Sequence, residues 1–227
     1  MNNNELILTA DGSHSLRSRR FAVPYHSVHG AVQESRHVFI DAGLQPLLAA
    51  GAERVRILEM GFGTGLNVLL VRLIARATPG VEFEYITYEQ FPVLPTEVAA
   101  LNYAEQLGVE TAVLTEFHDS GWGVDLRLEH NFSFRKRQAN FLNDDDRPYR
   151  DESVDVIFYD AFAPGSQPEL WTPQAMVVAW EALRVGGSLV TYCAKGQFKR
   201  NLRQVGFTVE PLPGPPGKRE MTRANKS

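Results

Sequence analysis

The stretch Val55-Arg56-Ile57-Leu58-Glu59-Met60-Gly61-Phe62-Gly63-Thr64-Gly65 decides how this chain is read. Its first half, VRILEM, is a short apolar run of strand length. Its second half places glycine at alternate positions, which lets the backbone turn sharply. A helix opens at once, because Leu66, Leu69, Leu70, Leu73, Ile74 and Ala77 recur at the spacing of one buried stripe. Strand, glycine turn and helix in that order form a unit that receives a ligand at a helix N-terminus.

The alternation continues downstream. Phe83–Glu89 reads as the next strand and Leu94–Leu107 as the next helix. A third strand is expected around Ser133–Ala139, beyond a less readable stretch near Trp122. VDVIFYD (154–160) reads as a strand buried on both faces. Thr172 suits an N-cap with Pro173 at the first helical position, and Met176, Val177, Trp180 and Leu183 give that helix its stripe. Gly186-Gly187 should end it, followed by a strand at Ser188–Ala194, a helix at Lys195–Val205, and strands at Phe207–Leu212 and Glu220–Ala224. Upstream, Asp11-Gly12 between Glu5–Ala10 and Ser13–Ser18 predicts a β-hairpin, and about Gly30 to Ala50 a polar helical stretch. The pattern predicts an α/β fold: a doubly wound, mostly parallel sheet over residues 51–227, with an N-terminal β-hairpin/helix extension over 1–50 on the substrate side, in one compact unit. Ligands in such sheets lie beyond the carboxyl ends of the strands, at the switch point.

A dinucleotide fingerprint, G-x-G-x-x-G, would need glycine where Leu66 stands, and no Gly-Lys-Ser/Thr marks a phosphate loop. The G-x-G-x-G spacing resembles motif I of class I S-adenosyl-L-methionine-dependent methyltransferases, in which Glu59, Gly61, Gly63 and Gly65 would line the cofactor. Glu89 closes the second strand, 24 residues after Gly65. A carboxylate there can accept from both ribose hydroxyls. The alternative is a tight turn with an incidental surface Glu. Asn140 follows the third strand, where such enzymes often carry an Asp that holds the adenine amino group; its side-chain carbonyl can accept the same bond, or it is a polar loop residue.

The fourth strand ends in Asp160-Ala161-Phe162-Ala163-Pro164. In this class the residues after that strand face the methyl donor and the acceptor atom. Methyl transfer to an amine needs an aligned, unprotonated lone pair, so positioning does most of the work. A carboxylate can hydrogen-bond the amine, help remove its proton and stabilise the charge that develops on nitrogen. Asp160 is the catalytic candidate, with a possible cofactor contact; the bland alternative is a loop cap. Phe162 and Pro164 would wall a flat ring.

DAFAPGSQPELWT (160–172), TYCAKG (191–196), GPPGKRE (214–220), the DGS turn (11–13), YHSVHGA (25–31) and ESRHVFIDAGL (34–44) together resemble the methyltransferase half of the MnmC-type enzymes of tRNA wobble-uridine modification, from about residue 5 to 224. The resemblance implies methyl transfer from S-adenosyl-L-methionine to the amine of 5-aminomethyl-2-thiouridine. It implies cofactor binding by Gly61, Gly63, Gly65 and Glu89, catalysis by Asp160, and tRNA as partner. It matches the stand-alone version lacking an FAD oxidase domain, so a separate enzyme is expected to supply the amine.

On the acceptor side, Tyr25, His26 and Glu34 precede the cofactor strand, where such enzymes carry specificity. His26 and His29 have no carboxylate or Cys at ligand spacing, so no metal is expected. Lys195, Lys199 and Arg203 share one face of the last helix; a solvated face competes with phosphate contact, and Lys218 and Arg219 stand nearer the pocket. Net charge is -4, yet Lys195–Ser227 holds four Lys and four Arg against Glu210 and Glu220. The acidity sits at Asp144-Asp145-Asp146 and Asp151-Glu152.

With 227 residues, 44% of them hydrophobic and 22% charged, the chain fits one globular domain. The lone Cys193 excludes a disulfide framework. No apolar run approaches the roughly 18 residues of a membrane helix. Met1-Asn2-Asn3-Asn4-Glu5 lacks the pattern of a secretory signal, which points to a soluble cytoplasmic protein. Two competing functions remain: methylation of a small-molecule or protein amine, and a non-catalytic cofactor-binding subunit of a modification complex.

Overall fold

The structure, a computed structural model, describes residues 4–149 and 151–227. The reading of Met1 to Asn3 lies outside the described residues. The hairpin forms as β1 (Glu5–Leu8) and β2 (His14–Arg17), paired antiparallel with Leu8 opposite His14. The main sheet contains β3 (Arg54–Met60), β4 (Glu82–Tyr88), β5 (Leu126–Glu129), β6 (Phe132–Arg137), β7 (Val154–Tyr159), β8 (Leu183–Thr191), β9 (Thr208–Pro213) and β10 (Glu220–Asn225). Its order is β5-β6-β4-β3-β7-β8-β10-β9. The five strands from β6 to β8 pair in parallel, whereas β5 pairs antiparallel with β6, and β10 with both neighbours. From β3 the chain winds outward through β4 and β6, then returns through β7 on the other side of β3. The carboxyl ends of β3 and β7 therefore border the switch-point crevice.

The N-terminal helix belongs to the core of this sheet. It runs as α1 (Ala31–Ser35), a π-helical stretch at Arg36–Leu44 and α2 (Gln45–Ala49). Val38, Phe39, Ile40 and Leu44 are buried, which corrects the expectation of a polar stretch. Phe39 packs on Phe158 of β7 with ring centroids 5.3 Å apart. The π register shifts side chains relative to an α-helix, so the 3.6-residue stripe is broken and hard to recognise.

Other expectations need correction. α3 (Leu66–Ala77) forms as read, but Val68, Val71 and Ala75 are buried too, while Ala77 is exposed. The helix expected at Leu94–Leu107 is two pieces, α4 (Pro95–Val98) and α5 (Tyr103–Leu107). Asn102 sits at the break, accepting from the His14 amide at 2.7 Å and donating to the Gly12 carbonyl at 2.9 Å. The stretch near Trp122 contains α6 (Ala112–Asp119) and the edge strand β5. α7 (Pro173–Ala182) is capped by Thr172, whose hydroxyl accepts from the Ala175 amide, but it buries Ala175, Met176, Ala179 and Ala182 and leaves Val177 exposed. Gly186-Gly187 do not end that helix; they lie inside β8. A Cβ on Gly187 would stand 2.9 Å from the Arg184 carbonyl, and the Gly186 amide donates to the Lys226 carbonyl at 2.7 Å. The glycines thus serve a close strand contact. α8 (Gly196–Val205) forms with Lys195 as its N-cap. Among the described residues no helix is long and apolar enough to cross a membrane.

Candidate active site

The turn after β3 is fixed by the crossing of two backbones. Gly61 takes φ +98°, and a Cβ there would stand 2.5 Å from the Asp160 main-chain oxygen. Gly63 takes φ +48°, with the Tyr25 ring 3.1 Å from its would-be Cβ. Gly65 takes φ +77° and caps α3. Glu89, just past β4, accepts from the Gly63 amide at 2.9 Å and the Phe91 amide at 2.8 Å, one on each oxygen. Burial raises its carboxyl above the usual range against these bonds. Its remaining lone pairs face a cavity of about 460 Å³ whose lining includes Gly61, Gly63, Glu89, Asn140, Asp160 and Phe162. That size suits a small-molecule or cofactor site.

Asp160 stands across this cavity from Glu89, at the end of β7. One side-chain amide ties it to Glu59: Asn67 Nδ2 donates to Asp160 Oδ2 at 2.9 Å and to Glu59 Oε1 at 3.0 Å. Thr87 donates to the other Glu59 oxygen at 2.6 Å. Burial pushes the Glu59 carboxyl up to about 8, opposed by these two bonds. Asp160 is pushed up to about 7, by burial first and by the charge of Glu34 next, while Asn67 and Lys218 pull the other way. Two carboxyls with raised proton affinity therefore share one amide donor, the electrostatic setting expected of proton-handling groups.

The acceptor side is built by the N-terminal segment. Glu34, buried in α1, accepts from Lys218 Nζ at 2.6 Å and from the Ser27 amide at 2.6 Å. Lys218 also lies 3.9 Å from the centroid of Tyr192, whose hydroxyl donates to the Ala161 carbonyl. His26 is buried on Ser15, with 2.9 Å between Nδ1 and Oγ, and burial drives its ring down to about 4, so it is neutral. Phe162 is held at both ends, its amide donating to Gln167 and its carbonyl accepting from Trp171 Nε1. Its ring meets Tyr25 at 4.9 Å and Phe21 at 4.7 Å, forming an aromatic wall at the cavity mouth.

Residues 141–227 match a family model described as S-adenosyl-L-methionine-dependent methyltransferase. The tRNA 5-methylaminomethyl-2-thiouridine biosynthesis bifunctional protein MnmC of Cupriavidus necator is 32% identical over 228 residues, 97% of this chain and 34% of that protein. Its counterpart in Pseudomonas paraeruginosa is 33% identical over 217 residues, 90% of this chain and 32% of that protein. The crystal structure of MnmC2 from Aquifex aeolicus superposes with a TM-score of 0.81 at 25% identity, covering all of this chain and 71% of that one. This chain aligns over nearly its whole length with the MnmC protein of Cupriavidus necator and shares its fold with MnmC2. It spans about a third of the length of the curated relatives it matches. A probable spermidine synthase from Corynebacterium glutamicum shares the fold, with a TM-score of 0.54 at 18% identity over 99% of this chain and 77% of that one. The sheet is that of a class I methyltransferase, the fold expected from the strand–helix alternation together with the resemblance of the G-x-G-x-G turn.

Most residues singled out in the sequence converge on the cavity. Glu59 is 1% exposed and touches the site through Asn67. Asn140 lines the cavity, but its carbonyl accepts from the Leu142 amide as a helix cap, so the lone pair proposed for adenine is partly engaged. Lys195, Lys199, Arg203 and Arg219 lie outside the cavity lining. Lys199 is committed to Glu220 and Lys218 to Glu34, so neither is a free phosphate donor. The sequence reading missed Asn67, Tyr192, Phe21 and Phe91. An Asn on the second residue of a helix whose first turns are otherwise apolar, straight after the glycine turn, was the available signal for Asn67.

Proposed function

We propose that this protein transfers a methyl group from S-adenosylmethionine to the primary amine of 5-aminomethyl-(2-thio)uridine at the wobble position of tRNA. One observation carries this reading: a single cavity joins the glycine turn and Glu89 to Asp160 and an aromatic wall. The donor set fits the cofactor. Glu89 retains acceptor capacity for a ribose diol, and the side-chain-free turn at Gly61 and Gly63 admits a chain close to the backbone. Asn140 borders the adenine end through its amide, and Gly65 opens the helix whose N-terminus faces the site. When bound, the cofactor supplies an electrophilic methyl group on a positively charged sulfur.

The protein's own part is to position and to handle a proton. Asp160, held by Asn67, accepts a hydrogen bond from the amine, takes up its proton and stabilises the charge that grows on nitrogen. Glu59 keeps Asn67 oriented from below. Tyr25 and Phe162 flank the base, and residues 1–50 form the acceptor-facing side. Supply of the amine is chemistry distinct from the methyl transfer assigned to these residues. A tRNA substrate places the reaction in the cytoplasm. Methylation of a small-molecule or protein amine, or a non-catalytic role, is less favoured, because the MnmC relatives are named for tRNA modification. The test is mass spectrometry of nucleosides from tRNA bearing the aminomethyl group, before and after incubation with protein and cofactor. The methylaminomethyl nucleoside should appear and its precursor fall; an unchanged nucleoside profile would refute the reading.

A further inference from the structure

The turn between β2 and Tyr25 presents exposed charge that the cavity chemistry leaves unused. It is closed by the Ser18 amide, which donates to the Val23 carbonyl at 2.8 Å, and by the Phe21 amide, which donates to Ser18 Oγ at 3.2 Å. Ala22 takes φ +57° within it, a left-handed backbone that side chains other than glycine seldom adopt. Strain of this kind is held where a side chain must be aimed. Here Phe21 meets Phe162 at 4.7 Å and Phe91 at 5.9 Å across the cavity mouth. The Arg20 guanidinium lies 3.8 Å over the Phe91 ring centroid. Arg19 and Arg20 are both exposed, and among the described residues no carboxylate forms an ion pair with either.

In the C-terminal segment, richer in basic residues, Lys195, Arg200, Arg203 and Arg219 are likewise exposed and, among the described residues, without an ion pair. They lie outside the cavity lining, however, and the other four cations are engaged. Lys199, Lys218, Arg223 and Lys226 are ion-paired with Glu220, Glu34, Glu210 and Glu152. A cation already paired must give up its partner to reach a phosphate, and the partner's charge repels the polyanion.

Resting on the RNA reading above, we propose that the 18–23 turn is the nucleic-acid docking surface. Arg19 and Arg20 contact phosphates flanking the nucleotide that enters the cavity, and Phe21 stacks on a base at the mouth. A guanidinium can hold a phosphate through two parallel bonds, and aromatic stacking tolerates any base. The polar head of Arg20, already laid on an aromatic face, is pre-oriented for that role.

The probe is an anticodon stem-loop RNA carrying 5-aminomethyluridine at the wobble position, titrated against the whole chain over a range of salt. Arg19→Glu/Arg20→Glu should weaken binding tenfold or more at about 0.1 M salt. It should also flatten the salt slope by more than one unit, since each lost single-strand contact removes about 0.7. Lys195→Glu/Arg203→Glu should weaken it less than threefold. Phe21→Leu should weaken binding threefold or more with the slope unchanged, because stacking releases no counterions. Thermal melting and S-adenosylhomocysteine affinity confirm that each charge variant is folded. A wild-type slope and affinity in the Arg19/Arg20 variant, or a larger loss in the Lys195/Arg203 variant, overturns the docking surface while the wild type still methylates the RNA. A wild-type protein that neither binds nor methylates it overturns the functional reading as well.

Discussion

The main-chain oxygen of Asp160 lies 2.5 Å from the point where a Cβ on Gly61 would stand. The two strands at the switch point thus touch backbone to backbone, and the residue proposed to handle the proton helps to shape the turn proposed to hold the cofactor. The Asp160 amide also donates to the Met60 carbonyl at 2.9 Å, which locks the same crossing. A change in either loop is therefore felt in the other.

Gly61→Ala should destabilise the protein by about 2–5 kcal/mol. Left-handed strain contributes roughly 1–2 kcal/mol, and forcing two backbones apart roughly 1–3 kcal/mol more. Gly51 isolates the first effect, since it takes φ +80° with nothing within 4 Å of its would-be Cβ. Gly51→Ala should cost about 1–2 kcal/mol by urea unfolding, with S-adenosylhomocysteine binding intact. Equal costs for the two variants would show that the Asp160 contact yields easily.

Asp160→Ala and Asp160→Asn should each lose about 10²–10³ in kcat, the usual cost of removing one well-placed polar group from a reacting centre. Neither should lower stability at pH 8, because burial of this carboxylate's charge is unfavourable, as its raised proton affinity records. Turnover at saturating RNA and cofactor decides the first point, and urea midpoints the second. Asp160→Asn that turns over at the wild-type rate would remove the proton-handling role.

The free protein should lose stability as pH rises from about 6.5 to about 8. Asp160 and Glu59 titrate near 7 and 8 in the fold but near 3.8 and 4.5 when unfolded. Between those values the folded state binds more protons than the unfolded one, so stability falls with rising pH. Buried His26, held neutral down to about 4, acts in the opposite sense below pH 6.5, since the unfolded chain takes up that proton first. Urea unfolding between pH 6.5 and 8 therefore isolates the carboxyls, and Glu59→Gln should flatten that segment. A wild-type stability that climbs across it would contradict the raised carboxyls.

The strand–helix alternation, the glycine turn and the two strand-end acids were legible because each depends on a short, local pattern. Gly61, Glu89 and Asp160 fall directly after apolar runs, where the fold class needs them. What escaped reading was set by tertiary partners. Asn102 breaks a continuous-looking helix because the hairpin supplies its hydrogen bonds. Gly186-Gly187 looked like a helix stop, yet their role is set by Lys226, some 40 residues further on. The basic stripe of α8 was read as one face, but the spacing of Lys199 does not reveal Glu220 at the start of β10. Composition counted eight cations; the fold decides which remain free.

Gly43 gives a stability test of the unexpected N-terminal core. A Cβ there would stand 2.9 Å from Val190 Cγ2, 3.1 Å from Phe158 and 3.4 Å from Val156, all on the buried strands β7 and β8. Within a helix, Gly→Ala normally gains about 1 kcal/mol. Overpacking a close-packed interface costs about 1–3 kcal/mol, and Val190, Phe158 and Val156 are themselves buried, which leaves little room to yield. The second effect should win, giving a net loss of about 1 kcal/mol in urea unfolding. Because the same helix carries Glu34 at its start, the displaced segment should also raise the KM for RNA while leaving S-adenosylhomocysteine affinity close to wild type. A stabilised Gly43→Ala would mean that the helix packs loosely on β7 and β8, and that the acceptor side is not anchored by the core.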